Sequence, residues 1–163
     1  MSKNEMIYNS LVESIRAGLV EGESIVEAFI NAKEYQEYKD CSLFEVCLKY
    51  DISINRLNYD LMFRMDDTEN NCLYGSVWDG LRSLKEELID MIKDELKAAI
   101  DNGLLVDKMI SDFREALKEN EENTDAMIFI MEDIGNGFDM DEEEFRKLCD
   151  KVDSECERLG LYS

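Results

Sequence analysis

Apolar residues return every three or four positions along most of this chain, and the longest unbroken stripe lies between Ser76 and Gly103. That spacing places the apolar side chains on one face of an α-helix. Ser76 is suited to cap the start of a helix, and Gly103 stands where a left-handed residue commonly ends one. The pattern predicts one long helix of about 26 residues, about 39 Å in length, around which the other elements pack.

Shorter apolar stripes before residue 66 predict four further helices. The first is expected to cover residues 5–17 and to end near Gly18, and the second to run from about residue 22 to Tyr38. Ser42 and Ser53 are expected to cap the third and the fourth. The residues expected to face inward from the second helix are Ile25, Val26, Phe29, Ile30 and Tyr35.

After the long helix, an apolar stripe over residues 105–117 predicts another helix. Asp139 with Glu142 is expected to open the last helix, whose apolar stripe starts at Phe145. The apolar run over residues 126–134 suits a buried strand or a buried helix, and helix is favoured because no second strand exists to pair with it. Residues 135–137 (Gly-Asn-Gly) are interpreted as a turn. The chain contains no proline, and the expected fold is all-α, an irregular bundle of seven or eight helices.

The polar residues 65–75 separate the short N-terminal helices from the long helix. They indicate an N-terminal part over residues 1–65 and an acidic helical part over residues 66–163, although the two parts could also form one continuous domain. The chain has 163 residues, of which 45% are hydrophobic, and this is enough to bury a substantial core.

The composition excludes several kinds of chemistry. Histidine is absent, which removes Ser-His and Cys-His nucleophiles and imidazole metal ligands. The five cysteines are odd in number and form no Cys-x-x-Cys pair, so neither a disulfide framework nor a zinc site is predicted. No apolar run approaches the roughly 20 residues of a membrane span. These observations favour a non-enzymatic, cytoplasmic protein without a cofactor, a metal or a membrane partner.

Residues 42–65 resemble a helix-turn-helix. The motif requires apolar residues inside both helices and directly after a tight turn. Cys47 stands where a small alanine is usual, and Asp51 stands where glycine usually forms the turn, a conformation that aspartate tolerates better than most residues. The apolar positions of the motif are occupied by Val46, Tyr50, Ile52, Leu57 and Leu61.

If this segment bound DNA, as the resemblance implies, Asn55, Arg56, Asn58 and Tyr59 would face the groove. Residues 1–65 contain seven Lys or Arg against eleven Asp or Glu, a net charge of −4. Neutralisation of phosphates supplies most non-specific DNA affinity, so this charge does not favour direct nucleic-acid binding. An ordinary helical corner would show the same pattern, and a DNA-binding transcriptional regulator is kept as an alternative function.

The whole chain carries 18 Lys or Arg against 39 Asp or Glu, a net charge of −21. Residues 119–144, which we call the acidic tract, contain eleven carboxylates and no Lys or Arg. Mutual repulsion disfavours the compact state, so the tract is either a solvated surface or a surface that attracts a cationic partner. Its members are Glu119, Glu121, Glu122, Asp125, Glu132, Asp133, Asp139, Asp141, Glu142, Glu143 and Glu144.

In size, charge and helical content the chain resembles the small acidic phage-type inhibitors of restriction and CRISPR nucleases. A surface dense in carboxylates can stand in for the phosphates of a nucleic acid. The resemblance implies a protein that inhibits or regulates a basic, nucleic-acid-handling partner through the acidic tract. An immunity or antitoxin protein that neutralises a basic toxin would show the same features, and a homodimer is compatible with either function.

One stretch has the twelve-residue length of an EF-hand calcium loop, residues 133–144. Gly135 and Gly137 stand where the third and fifth ligands belong, and Phe138 replaces the glycine that the turn requires. With these ligands missing, the stretch does not predict a calcium site.

A second pattern resembles the acidic pairs of the magnesium-dependent, all-α nucleotide pyrophosphatases. Glu86, Glu87 and Asp90 share one face of the long helix, and Glu122 with Asp125 repeats the spacing. In a chain with 39 acidic residues such spacings arise readily by chance. This pattern does not predict a metal site either.

Overall fold

The computed structural model of the chain describes residues 2–62, 77–119 and 126–161, and for residues 77–83 it describes the backbone alone. Together these residues form eight α-helices and no β-strand. The predicted all-α fold and irregular helical bundle are confirmed. In chain order the helices are α1 (Lys3–Val20), α2 (Ile25–Lys33), α3 (Leu43–Lys49), α4 (Ile54–Met62), α5 (Val77–Asp101), α6 (Leu104–Glu119), α7 (Ala126–Gly137) and α8 (Glu142–Arg158).

The predicted long helix is α5, which extends over 25 residues. At 1.5 Å per residue it is about 37 Å long. It ends at the predicted signal, because Gly103 adopts the left-handed conformation at φ +84°. The buried members of its stripe among the described side chains are Leu84, Leu88, Ile92, Leu96, Ala99 and Ile100.

The chain divides into two compact units, Met1–Asp94 and Glu95–Ser163, and the division falls within α5. The boundary expected from the sequence, between residues 65 and 66, lies outside the described residues. The N-terminal unit contains α1 to α4, and the C-terminal unit contains α6 to α8.

In the N-terminal unit, α1 packs against α2 and α4. Helix α1 ends at Val20, two residues after Gly18 and close to the predicted end. Gly18 lies inside α1 and permits α1 and α2 to pack closely, since a Cβ at this position would lie 2.9 Å from the Cβ of Ala28 on α2. The left-handed residue that follows the helix is Gly22, at φ +94°.

Helix α2 covers only nine residues, so the predicted end at Tyr38 is wrong. Tyr38 is buried, and the centre of its ring lies 5.7 Å from the centre of the Tyr50 ring. A short helix that packs through one narrow face leaves its other apolar side chains outside. The inward prediction is therefore wrong for Val26 and Ile30, whose exposed fractions are 46% and 52%. It is also wrong for Tyr35, which lies beyond the end of α2 and is 88% exposed.

In the C-terminal unit, α6 packs against α7 and α8. The apolar run that suited either a strand or a helix is helical, and α7 continues from it to Gly137. The predicted turn at residues 135–137 is therefore wrong. The chain leaves the helix at Asp139, which is left-handed at φ +51°, and the Met140 N–H donates a hydrogen bond to the Gly135 oxygen at 2.9 Å.

Gly135 sits inside α7 because the ring of Phe145 lies against it. A Cβ on Gly135 would come within 2.6 Å of two carbons of that ring. Helix α8 begins after Asp141, whose side chain accepts a backbone N–H hydrogen bond at 2.7 Å, so the predicted start at Asp139 is wrong. The ring contact holds the end of α7 close to the first turn of α8, in a region that we call the α7–α8 corner (residues 135–145).

Gly135→Ala should lower the free energy of unfolding by about 1–3 kcal/mol, the usual cost of overpacking a filled site. Helix propensity alone predicts the opposite sign, because alanine is favoured over glycine in a helix by about 0.5–1 kcal/mol. Urea unfolding followed by circular dichroism measures the difference.

A Phe145→Leu background provides the control for this substitution. Removal of the ring should make room for the new methyl group, so the effects of the two changes should not add. A Gly135→Ala protein that is as stable as the wild type would contradict the close contact.

Candidate functional site

The helix-turn-helix-like segment forms two short helices, α3 and α4, and both predicted caps are present. The hydroxyls of Ser42 and Ser53 accept backbone N–H hydrogen bonds at 3.2 and 3.0 Å. Asp51 occupies the turn in the left-handed conformation, at φ +54°. Residues 63–65 of the segment lie outside the described residues. The five apolar positions of the motif are all buried, namely Val46, Tyr50, Ile52, Leu57 and Leu61.

Cys47, which stands where alanine is usual, directly follows Val46 in the sequence and is also buried. Burial raises the pKa of the Cys47 thiol to about 12, so the group stays protonated at neutral pH and behaves as a small apolar side chain. The cysteines of the described residues are free thiols: Cys41, Cys47, Cys149 and Cys156.

The four residues predicted to read DNA occupy different environments on α4. Tyr59 is 48% exposed and Asn55 is partly exposed. Asn58 is buried, with 6% of its surface exposed, and its side-chain oxygen has no hydrogen-bond partner. Arg56 and Tyr59 are the exposed members of this group.

Arg56 is bound to two carboxylates and an aromatic ring within the N-terminal unit. Its Nη1 and Nη2 groups donate hydrogen bonds to the two carboxylate oxygens of Glu5, each at 3.1 Å, and its Nε lies 3.5 Å from a carboxylate oxygen of Asp60. The guanidinium carbon lies 4.1 Å from the centre of the Tyr8 ring, and the Tyr8 hydroxyl donates a hydrogen bond to Asp60. These contacts connect α1 to α4 and compensate the charge that a phosphate would otherwise bind.

The acidic tract is distributed over three places in the C-terminal unit. Glu119 is exposed at the end of α6, and Glu132 and Asp133 are exposed on α7. At the α7–α8 corner the exposed members are Asp139, Asp141, Glu142 and Glu143, and Glu144 is partly exposed. Outside the described residues lie Glu121, Glu122 and Asp125.

Basic side chains from outside the tract compensate part of the charge at the α7–α8 corner. Lys97 and Lys147 line a cleft of about 400 Å³ there together with three of the tract carboxylates. An Arg146 nitrogen lies 3.2 Å from a carboxylate oxygen of Glu142, which belongs to the tract. Lys147 also donates a hydrogen bond to Asp101, which lies outside the tract. The tract is free of Lys and Arg in sequence, but at this corner the fold supplies them.

Helix α7 carries two exposed carboxylates, Glu132 and Asp133, that no basic side chain among the described residues compensates. Among the described residues, neither Glu132 nor Asp133 forms an ion pair or a side-chain hydrogen bond. One helical turn earlier, Ile128 and Phe129 expose 54% and 62% of their surface. We call these four residues the α7 outer face.

Sequence reasoning missed Ile128 and Phe129, because it placed the whole apolar run of α7 in the core. The opposite side of the helix is indeed buried, through Met127 and Met131. An uninterrupted run over residues 126–131 surrounds the helix with apolar groups, so a helix packed on one side must expose some of them. That continuity was the available signal.

The two metal-binding patterns fall on helices. Asp133 to Gly137 belong to α7, so the first part of the EF-hand-like stretch is a helix, whereas a calcium site needs a loop. Glu86, Glu87 and Asp90 are exposed on α5. In the part of the chain that the structure describes, no group of three or more Cys, Asp or Glu side chains is placed to hold a metal ion.

The chain matches no protein-family model, no curated protein and no solved structure. None of the helices among the described residues combines the length and the apolar character that a membrane crossing requires.

Arg56→Met should destabilise the protein at neutral pH, because it removes the paired hydrogen bonds to Glu5 and a cation–π contact worth about 0.5–1 kcal/mol at an exposed site. The bonds to Arg56 hold the pKa of Glu5 below its ordinary value of 4.5. A carboxylate with a lowered folded-state pKa stabilises the protein above its unfolded pKa, and that contribution is lost as pH falls through the folded value. The stability difference between wild type and Arg56→Met should therefore shrink below pH 4.5.

Urea unfolding at a series of pH values, from neutral to strongly acidic, measures this difference. Arg56→Lys is the matched control, since it keeps the positive charge without the planar fork, and it should fall between the other two proteins. A stability difference that stays constant across the acidic range would contradict the role of Glu5.

Asn58→Leu should raise the free energy of unfolding by about 1 kcal/mol, because it replaces a buried amide oxygen that has no partner with an apolar group of similar size. Asn58→Asp should lower it by about 3 kcal/mol, because it buries a charge without a counter-ion. Thermal unfolding measures both effects. Destabilisation by Asn58→Leu would contradict the absence of a hydrogen bond at this oxygen.

Proposed function

We propose that this protein is a non-enzymatic binding protein that inhibits or regulates a basic, nucleic-acid-handling protein in the cytoplasm. The observation that carries the proposal is the α7 outer face, where Glu132 and Asp133 are exposed and form no ion pair with a described residue. Uncompensated carboxylates repel one another, and they attract a cationic surface over several ångströms. The partner that this surface fits is therefore a positively charged protein.

The charge of the C-terminal unit supports the same conclusion. Residues 95–163 contain eight Lys or Arg and twenty Asp or Glu, a net charge of −12. Duplex DNA carries one phosphate charge per roughly 1.7 Å of axis, and proteins that bind it present basic surfaces. An acidic helical unit can occupy such a surface in place of the nucleic acid, and its field accelerates the encounter.

A DNA-binding transcriptional regulator is the alternative, and the formation of the helix-turn-helix-like segment favours it. Against it stand the burial of Asn58 and the pairing of Arg56 with Glu5 and Asp60. An electrophoretic mobility shift with random duplex DNA at low ionic strength separates the two functions. The proposed inhibitor leaves the DNA unshifted, whereas a regulator shifts it.

An immunity or antitoxin protein would use the same acidic surface against a basic toxin. It differs from the proposed function in the identity of the partner alone, so the same substitutions test the surface in both cases.

Reversal of two charges on the α7 outer face should weaken the inhibition of the partner. The wild-type protein is expected to inhibit DNA cleavage by at least one enzyme in a panel of restriction and CRISPR nucleases, and the inhibition should weaken as salt is added. For that enzyme, Glu132→Lys/Asp133→Lys should weaken inhibition by about tenfold or more, because two attractive charges become repulsive.

Glu13→Lys/Glu34→Lys is the matched control, because it changes the net charge by the same amount at exposed positions of the N-terminal unit. This control should inhibit as well as the wild type does. Failure of the wild-type protein to inhibit any enzyme of the panel, or equal inhibition by wild type and Glu132→Lys/Asp133→Lys, would contradict the proposal.

A further inference from the structure

The α7 outer face combines apolar and acidic side chains in a regular arrangement. Ile128 and Glu132 are four residues apart, and so are Phe129 and Asp133. On an α-helix, residues four apart share a face and lie about 6 Å apart along the axis. The surface therefore consists of two adjacent rows, each with an apolar side chain one turn before a carboxylate.

The apolar pair of the α7 outer face is largely exposed to solvent. Phe129, at 62% exposed, and Ile128, at 54%, are neighbours on a helix whose other side is packed in the core. Exposed aromatic and aliphatic side chains of this kind often anchor a protein interface, while surrounding polar groups exclude water from it. The carboxylates of Glu132 and Asp133 lie on one edge of the pair.

The charge on this surface indicates what covers it. A second copy of the chain would bring its own Glu132 and Asp133 toward the same face, within a molecule whose net charge is −21. Like charges across an interface oppose association. A partner segment that carries Lys or Arg beside apolar side chains would complement both the apolar pair and the two carboxylates.

We propose that the α7 outer face docks a basic amphipathic helix of the partner protein. The helical spacing of the two rows matches a partner helix in which an apolar residue and a Lys or Arg are one turn apart. In this arrangement Ile128 and Phe129 provide the apolar anchor, and Glu132 and Asp133 orient the partner through charge. This inference rests on the proposed function and adds the class of partner segment that the acidic surface recognises.

The test uses two synthetic peptides as probes, each about five helical turns long. The first peptide alternates leucine and lysine at helical spacing, so that one face is apolar and its edges are basic. The second peptide keeps every lysine and replaces every leucine with glutamine, so that the charge is equal and the apolar face is absent. Fluorescence anisotropy at low ionic strength measures the affinity of the full chain for each.

The wild-type protein should bind the lysine–leucine peptide about tenfold more tightly than the lysine–glutamine peptide. Ile128→Ser/Phe129→Ser should remove that preference and leave the affinity for the lysine–glutamine peptide unchanged. Val26→Ser/Ile30→Ser is the matched control, since it removes another exposed apolar pair, on α2, and it should keep the preference. Circular dichroism establishes that each variant is folded.

The outcomes separate the two proposals. If Ile128→Ser/Phe129→Ser retains the preference, or if Val26→Ser/Ile30→Ser loses it equally, the docking inference is overturned and the proposed function is untouched. If Glu132→Lys/Asp133→Lys binds both peptides as tightly as the wild type, the acidic surface is not the binding surface and the proposed function fails as well.

Discussion

The contact between Phe145 and Gly135 fixes which side of α7 faces solvent. The ring approaches so closely that no side chain fits between the helices, and Met131 and Met127 lie about one and two turns before Gly135 on the same inner side. Because the first half of α7 is apolar on every side, a helix that turns this side inward necessarily exposes two large apolar residues, Ile128 and Phe129. The candidate surface is thus a direct consequence of how the α7–α8 corner packs.

The helices could be predicted from the sequence because the residues that determine them lie close together along the chain. The period of apolar residues predicts α5 with its buried stripe, and Gly103 marks its end because few other residues adopt the left-handed conformation there. The serine caps at Ser42 and Ser53 are equally local, since each hydroxyl accepts an N–H three residues later. Interactions within four residues of one another leave a readable pattern in a single sequence.

The sequence predicts the candidate site less well, because the site depends on residues that are distant along the chain. Gly135 looks like a turn residue until Phe145 is placed beside it. The acidic tract looks uncompensated until Lys97 is brought to the α7–α8 corner from α5. Arg56 looks available for DNA until Glu5 on α1 binds it. Each of these contacts is tertiary, and no local period encodes it.

The proposed binding surface for a basic partner combines the exposed carboxylates and the apolar pair of α7. The most direct measurement is an NMR titration of the isotopically labelled full chain with the lysine–leucine peptide, in which backbone amide shifts map the contact. We expect the largest shifts at Ile128, Phe129, Glu132 and Asp133, with little change at Val26 and Ile30 on α2. Shifts centred on α2 or α4, with α7 unchanged, would contradict this expectation.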